Sequence, residues 1–157
     1  MMPAEFIVHA LTERDQIIAF AETLTGGGIA QALIRVPGSS RVLGLGVVAY
    51  SDQAKIEVLG VDPETIRRYG AVSDETAREM AAGVAAVAHA DLGMAVTGVA
   101  GPGGGSSEKP VGMVCFALKT PGEIISRTYQ FGDLGRDAIM DQSIQTALEL
   151  MEEYVKQ

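Results

Sequence analysis

Short apolar runs broken by glycine or proline alternate along this chain with longer stretches whose apolar positions recur at helical spacing. Residues 4–14 predict a short helix. Gln16-Ile17-Ile18-Ala19-Phe20-Ala21 reads as a buried strand and Thr25-Gly26-Gly27-Gly28 as a sharp break. Ile29 to Val36 predicts a helix, stopped by Pro37, which lacks the N–H a helix interior needs. Gly38-Ser39-Ser40 looks like a helix start. Arg41 to Leu45 reads as a short helical segment ended by Gly44 or Gly46, and Val47-Val48-Ala49-Tyr50 as the next strand. Ser51 caps a helix containing Asp52-Gln53-Ala54-Lys55, and Asp62-Pro63 opens another small one. From Ser73 to about Ala90, the positions Ala77, Met80, Ala81, Val84, Val87 and Ala88 form one apolar helix face. Met94 to Thr97, Met113 to Leu118 and Ile124 to Phe131 are strands. A last helix runs from about Arg136 to Val155, with Met140, Ile144, Ala147, Leu148 and Met151 facing inward.

Interleaved strands and helices mean an α/β sandwich. The short connection Lys119 to Glu123, carrying Pro121-Gly122, suits a hairpin, so the sheet is expected to be mixed. The 157 residues fit one domain, 1–157, with no repeat or linker. Hydrophobic residues make up 47% and charged ones 20%, which excludes a disordered chain. No uncharged apolar run reaches bilayer-spanning length, and the start Met1-Met2-Pro3-Ala4-Glu5-Phe6 lacks the pattern of a secretory leader. The single cysteine, Cys115, falls in a predicted strand and reads as a core thiol. These features predict a cytoplasmic protein. A net charge of -8, with no basic cluster, argues against nucleic-acid binding but leaves room for a small anionic ligand.

The densest feature is Val96-Thr97-Gly98-Val99-Ala100-Gly101-Pro102-Gly103-Gly104-Gly105, followed by Ser106 to Gly112. Clustered glycines let backbone N–H groups crowd a ligand, and successive N–H groups make a concave anion site. A phosphate or carboxylate is the expected occupant. The only histidines, His9 and His89, neighbour no candidate nucleophile, and no Cys/His cluster has metal-ligand spacing. A serine activated by lysine is the simpler hydrolytic arrangement. Ser40, at a predicted helix start, and Lys55 fit it, with Tyr50 placed to relay a proton or fix the amine. Were residues 41–50 one straight strand, its ends would stand roughly 30 Å apart. The pairing therefore requires a reversal, which Gly44 and Gly46 are placed to supply. The plainer alternative is that Ser39 and Ser40 cap a helix and Lys55 is solvated. Arg136 is either an anion clamp or a surface residue.

The order of Ala21-Glu22-Thr23-Leu24-Thr25-Gly26-Gly27, Pro37-Gly38-Ser39-Ser40, Ala49-Tyr50-Ser51-Asp52-Gln53-Ala54-Lys55, Gly70-Ala71-Val72-Ser73 and Thr97 to Gly112 resembles the CinA C-terminal domain family over about residues 16–150. The resemblance implies a three-layer α/β/α sandwich with a mixed central sheet. It also implies a hydrolase of the carboxamide of nicotinamide mononucleotide that uses neither metal nor cofactor. On that pattern the nucleophile falls on Ser40, the base on Lys55 and the assisting tyrosine on Tyr50. Substrate contacts fall on Thr23, Thr25, Gly26, Gly27, Thr97, Gly98, Gly101, Gly103, Gly104 and Arg136. The partner expected is a pyridine mononucleotide, with neither nucleic acid nor membrane involved, and the chain is expected to form a homo-oligomer, a dimer by default.

The sequence also departs from the family pattern. The usual Ala-Glu-Ser-Cys-Thr-Gly-Gly reads Ala-Glu-Thr-Leu-Thr-Gly-Gly, and positions usually basic are Met140 and Asp141. These changes motivate one alternative, a diverged protein that binds a nucleotide or small anion without turnover; the resembled family's association with competence and DNA damage suggests another, a protein-interaction module.

Overall fold

A computed structural model describes all 157 residues. In chain order the elements are α1 (Pro3–Glu13), β1 (Ile18–Glu22), α2 (Gly28–Ile34), a 3-10 turn at Ser39–Arg41, β2 (Leu43–Val48), α3 (Asp52–Leu59), α4 (Pro63–Tyr69), α5 (Asp74–Ala88), β3 (Leu92–Gly98), β4 (Met113–Lys119), β5 (Ile124–Gln130) and α6 (Arg136–Val155). The sheet order is β2-β1-β3-β4-β5. The first three strands are parallel, and β4 and β5 return antiparallel through the hairpin expected at Pro121-Gly122.

The two faces of the sheet bury side chains of different size, because successive strand residues point opposite ways. Ile18, Phe20, Met94, Val96, Val114, Phe116 and Leu118 meet α1, α2 and α6. Ala19, Ala21, Ala95, Cys115 and Ala117 meet α5 and the segment after α3. The small face lets α5 lie close: a Cβ at Gly93 would stand 2.1 Å from the Ala81 carbonyl oxygen. Three layers result, helices on both sides of a mixed sheet. Cys115 is the buried core thiol expected, and no helix is long and apolar enough to cross a membrane.

Three details differ from the sequence expectation. Residues 41–45 do not form a helix; β2 begins at Leu43 and continues to Val48 with alternating half-buried and exposed positions. Leu45 and Val47 pack on the α5 side and Leu43, before the register shift, on the other side, and the glycines between them sit in the strand without turning it. Val87, placed on the apolar face of α5, is exposed, and Ala85 is buried in its stead. In α6 the inward face is Ile139, Ser143, Thr146, Ala147, Leu148, Met151 and Val155, with Met140 and Ile144 half-buried at its margin.

Candidate active site

The strand order reverses around β1, which has β2 on one side and β3 on the other. At such a switch point the loops leaving the carboxyl ends of parallel strands part and leave a crevice. A cleft of about 280 Å³ occupies it. Thr23 and Leu24 enter from the end of β1, Tyr50, Asp52 and Lys55 from beyond β2, and Thr97 to Gly104 from the end of β3. Ala71 and Val72 close one wall and Arg136, the first residue of α6, another.

Lys55 is the unusual residue here. It lies in α3, whose N-cap Ser51 accepts from the Ala54 N–H. Its side chain is 1% exposed, and Nζ donates to the Ala49 carbonyl at 2.8 Å. Thr23 Oγ1 donates to the same oxygen at 3.2 Å. Burial pushes the Lys55 amine below the usual lysine range, and the Asp52 carboxylate pulls partly the other way. The result is a buried amine biased toward its neutral form, beside a hydroxyl held on a shared acceptor.

The opposite wall is polar and fixed. Arg136 donates to the Gly101 carbonyl at 2.6 Å and to the Tyr50 hydroxyl oxygen at 2.8 Å. Tyr50 therefore keeps its own O–H free to donate. Thr97 Oγ1 donates to the Ala71 carbonyl at 3.0 Å, tying the end of β3 to the loop before α5. Lys109 Nζ donates to the Tyr69 carbonyl and anchors the far leg of the glycine loop. Within that loop, a Cβ on Gly98 would come 2.9 Å from the Met113 carbonyl, whereas Gly103 and Gly104 face open space. No loop-to-backbone hydrogen bond uses the N–H groups of Gly103 and Gly104.

The cleft gathers Thr23, Tyr50, Lys55, Thr97, Gly98, Gly101, Gly103, Gly104 and Arg136 from the expected set, and does not gather the rest. Thr25 is buried and donates to Glu22 Oε1 at 2.5 Å. Gly26 and Gly27, at φ 59° and 95°, form the left-handed turn into α2. These three shape the turn behind Thr23 and do not line the cleft. Ser40 lies in the 3-10 turn before β2, at the amino end of the strand, while Tyr50 and Lys55 follow its carboxyl end. Six extended residues separate those ends by about 20 Å. The reversal that a Ser40–Lys55 pair requires is absent, so within one chain Ser40 does not meet Lys55. Met140 and Asp141 also lie outside the cleft. Sequence reasoning missed Asp52, Ala71 and Val72 as lining residues, and it missed Glu22. The Glu22 carboxylate is 1% exposed and accepts from the Thr25 hydroxyl and the Ile29 and Ala30 N–H groups. It thereby caps α2 from the end of β1.

Fold and cleft together define an α/β/α domain with a lysine-bearing crevice at the switch point of a mixed sheet. The model of the CinA C-terminal domain matches residues 2–155. A CinA-like protein of Thermosynechococcus vestitus is 45% identical over 150 residues, 94% of this chain and 36% of the relative. A putative competence-damage inducible protein of Caldanaerobacter subterraneus is 43% identical over 152 residues, 97% of this chain and 37% of the relative. The chain thus spans about a third of the length of these curated relatives. Among solved structures, the competence/damage inducible protein CihA of Agrobacterium tumefaciens superposes with a TM-score of 0.94 at 42% identity, covering 99% of this chain and 94% of its own. A CinA superfamily protein of Klebsiella pneumoniae gives 0.93 at 33% identity, covering 98% and 96%. The chain belongs to the CinA C-terminal domain family.

Proposed function

We propose that the cleft hydrolyses the carboxamide of nicotinamide mononucleotide to the carboxylic acid and ammonia, with Thr23 as nucleophile and Lys55 as base. The observation that carries this reading is the shared Ala49 carbonyl, which holds the buried Lys55 amine and the Thr23 hydroxyl side by side. An amine can act as a base only when neutral, and burial favours that form.

In the reaction, neutral Lys55 takes the Thr23 proton as Oγ1 attacks the carboxamide carbon. Tyr50, whose oxygen accepts from Arg136, donates its O–H to the carbonyl oxygen as negative charge develops there. The C–N bond then breaks, and Lys55 returns the proton to the departing nitrogen, which leaves as ammonia. A water molecule attacks the Thr23 ester while Lys55 takes its proton. The C–O bond to Thr23 breaks, and the hydroxyl recovers its hydrogen. Arg136 and the open N–H groups at Gly103 and Gly104 bind the nucleotide phosphate.

Purified protein is incubated with nicotinamide mononucleotide and ammonia is read. Thr23→Val keeps the side-chain shape without the hydroxyl and should lose at least ~10³-fold in kcat. Thr23→Ser should remain active, and Ser40→Ala should retain most of its turnover. Loss of activity in Ser40→Ala with Thr23→Val still active would overturn the nucleophile assignment. No ammonia from the unaltered protein would overturn the reading as a whole.

A further inference from the structure

The charged side chains that line the cleft are Asp52, Lys55 and Arg136. Two of them are engaged. Lys55 Nζ donates to the Ala49 carbonyl, and Arg136 donates to the Gly101 carbonyl and the Tyr50 hydroxyl oxygen. Asp52 differs. The residues on either side of it have partners, Ser51 as the N-cap of α3 and Gln53 with Glu57. The Asp52 carboxylate itself accepts no hydrogen bond, and the ion pairs of the chain, Arg67–Glu64, Arg127–Glu153 and Lys156–Glu152, leave it out. Nor does it neutralise Lys55. The two stand one helical turn apart on α3, but no ion pair joins them, and burial biases the Lys55 amine toward its neutral form. The cleft therefore carries an uncompensated negative charge beside that amine and a positive charge at Arg136. An acidic residue in a first turn commonly stabilises its helix. What marks Asp52 is its place in the cleft wall between Tyr50 and Lys55.

We propose that Asp52 determines specificity: it favours an amide carried on a cationic ring and sets that ring beside α3, with the phosphate held at Arg136. The inference rests on reading the cleft as the site where the carboxamide of nicotinamide mononucleotide binds. That molecule is a zwitterion. Its ring nitrogen, quaternised by the bond to ribose, is positive, and its phosphate is negative. The ring nitrogen lies two bonds from the carbon that bears the carboxamide. A carboxamide delivered to Thr23 and Lys55 therefore brings the ring charge to the first turn of α3, where Asp52 stands. The reversed pose would lay the phosphate against Asp52, and like-charge repulsion disfavours it. The ring cation also acts on the base. Asp52 pulls the Lys55 amine toward its charged form, so a bound cation that offsets Asp52 leaves burial to set the amine neutral.

Paired ligands test the assignment. Nicotinamide mononucleotide and its two-electron-reduced form share carboxamide, ribose and phosphate, but the reduced dihydropyridine ring is uncharged. Calorimetric titration of the Thr23→Val protein, which lacks the proposed nucleophile, gives Kd for each. The ratio of the two constants is then compared after adding Asp52→Asn or Asp52→Glu, so that differences of ring shape common to all three proteins cancel. The Thr23→Val protein should bind the cationic form more tightly. Asp52→Asn should cut that preference about tenfold, the scale of one charge contact in a half-solvated site, and Asp52→Glu should keep most of it. Raising the salt concentration should erode the preference where the carboxylate is present and leave the Asp52→Asn ratio flat. A preference that Asp52→Asn leaves intact, or none to begin with, would overturn the proposal, even with the unaltered protein releasing ammonia from nicotinamide mononucleotide. A preference that depends on Asp52 would uphold it even without ammonia release, and the hydrolytic reading alone would then fall.

Discussion

Replacing Lys55 with methionine separates a buried neutral amine from an ordinary salt-forming lysine. Methionine fills a similar channel without charge, and the Ala49 carbonyl keeps its Thr23 donor. An unfolded lysine holds its proton up to about pH 10.4. The folded one, with its pKa lowered by burial, releases it at a lower pH. Between those two values the unfolded state binds one more proton than the native state, so native stability rises with pH across that window. The slope of that rise approaches 1.4 kcal/mol per pH unit for a single proton, or about 2.303RT. Lys55→Met removes the proton exchange and hence the slope. The variant should therefore gain most over the parent below the window and progressively less as pH rises toward 10. Urea unfolding of both proteins from pH 6 to 10 reads the difference directly, because every other titrating group contributes to both. The same substitution should cost roughly 10²–10⁴ in amide hydrolysis, the usual contribution of a positioned base. Parallel stability curves over the whole range would mean that Lys55 carries the same proton folded and unfolded, and its role as base would fall.

Arg136→Ala removes two hydrogen bonds, to Gly101 and to Tyr50, and a charge at the expected phosphate end. It should lower kcat/KM for nicotinamide mononucleotide by about 10–100-fold, since a charge-assisted bond contributes about 1.5–3 kcal/mol. Arg136→Lys should not recover it, because a point ammonium lacks the planar fork that reaches both acceptors; steady-state kinetics checks both. Glu22→Ala leaves the Ile29 and Ala30 N–H groups and the Thr25 hydroxyl without their buried acceptor. It should destabilise the fold by about 2–4 kcal/mol, read as a lower urea midpoint, with Glu22→Gln in between.

Most of the architecture is legible in the chain because the strands are short apolar runs and the helices keep their spacing. The exception is β2. Leu43, Leu45 and Val47 alternate with the period of a strand, but Gly44 and Gly46 occupy the intervening positions and read as stops. In the fold both glycines admit close neighbours: a Cβ at Gly44 would stand 2.8 Å from Ile17 Cγ2 and one at Gly46 3.3 Å from Ala30 Cβ. The same strand removes the bend at those glycines that a Ser40–Lys55 pair within one chain requires. Tyr50, Lys55, Thr97 and Arg136 were legible because each lies in a short motif at an element boundary. The pairing of Thr23 with Lys55 was not, because it depends on long-range register. Glu22 lies level with Val48 across the parallel pair β1–β2, so the next residues, Thr23 and Ala49, leave the sheet together.

That register also explains why a lysine is tolerated in the interior. The last rung of the β1–β2 ladder is the Ala49 N–H to the Glu22 carbonyl. Beyond it the strands diverge, and the Ala49 carbonyl has no strand to donate to it. A buried carbonyl left unpaired would be costly, and here two side-chain donors take the place of the missing rung. One arrives from the end of β1 as Thr23 and the other from the first turns of α3 as Lys55. The acceptor that completes the backbone accounting is thus the one that brings hydroxyl and amine together. Glu22 acts on the same junction from the opposite side, its carboxylate accepting from the Ile29 and Ala30 N–H groups at the start of α2. The chemistry proposed for the cleft follows from where the ladder stops, and a change that altered the β1–β2 register by one residue would remove it even with Thr23 and Lys55 in place.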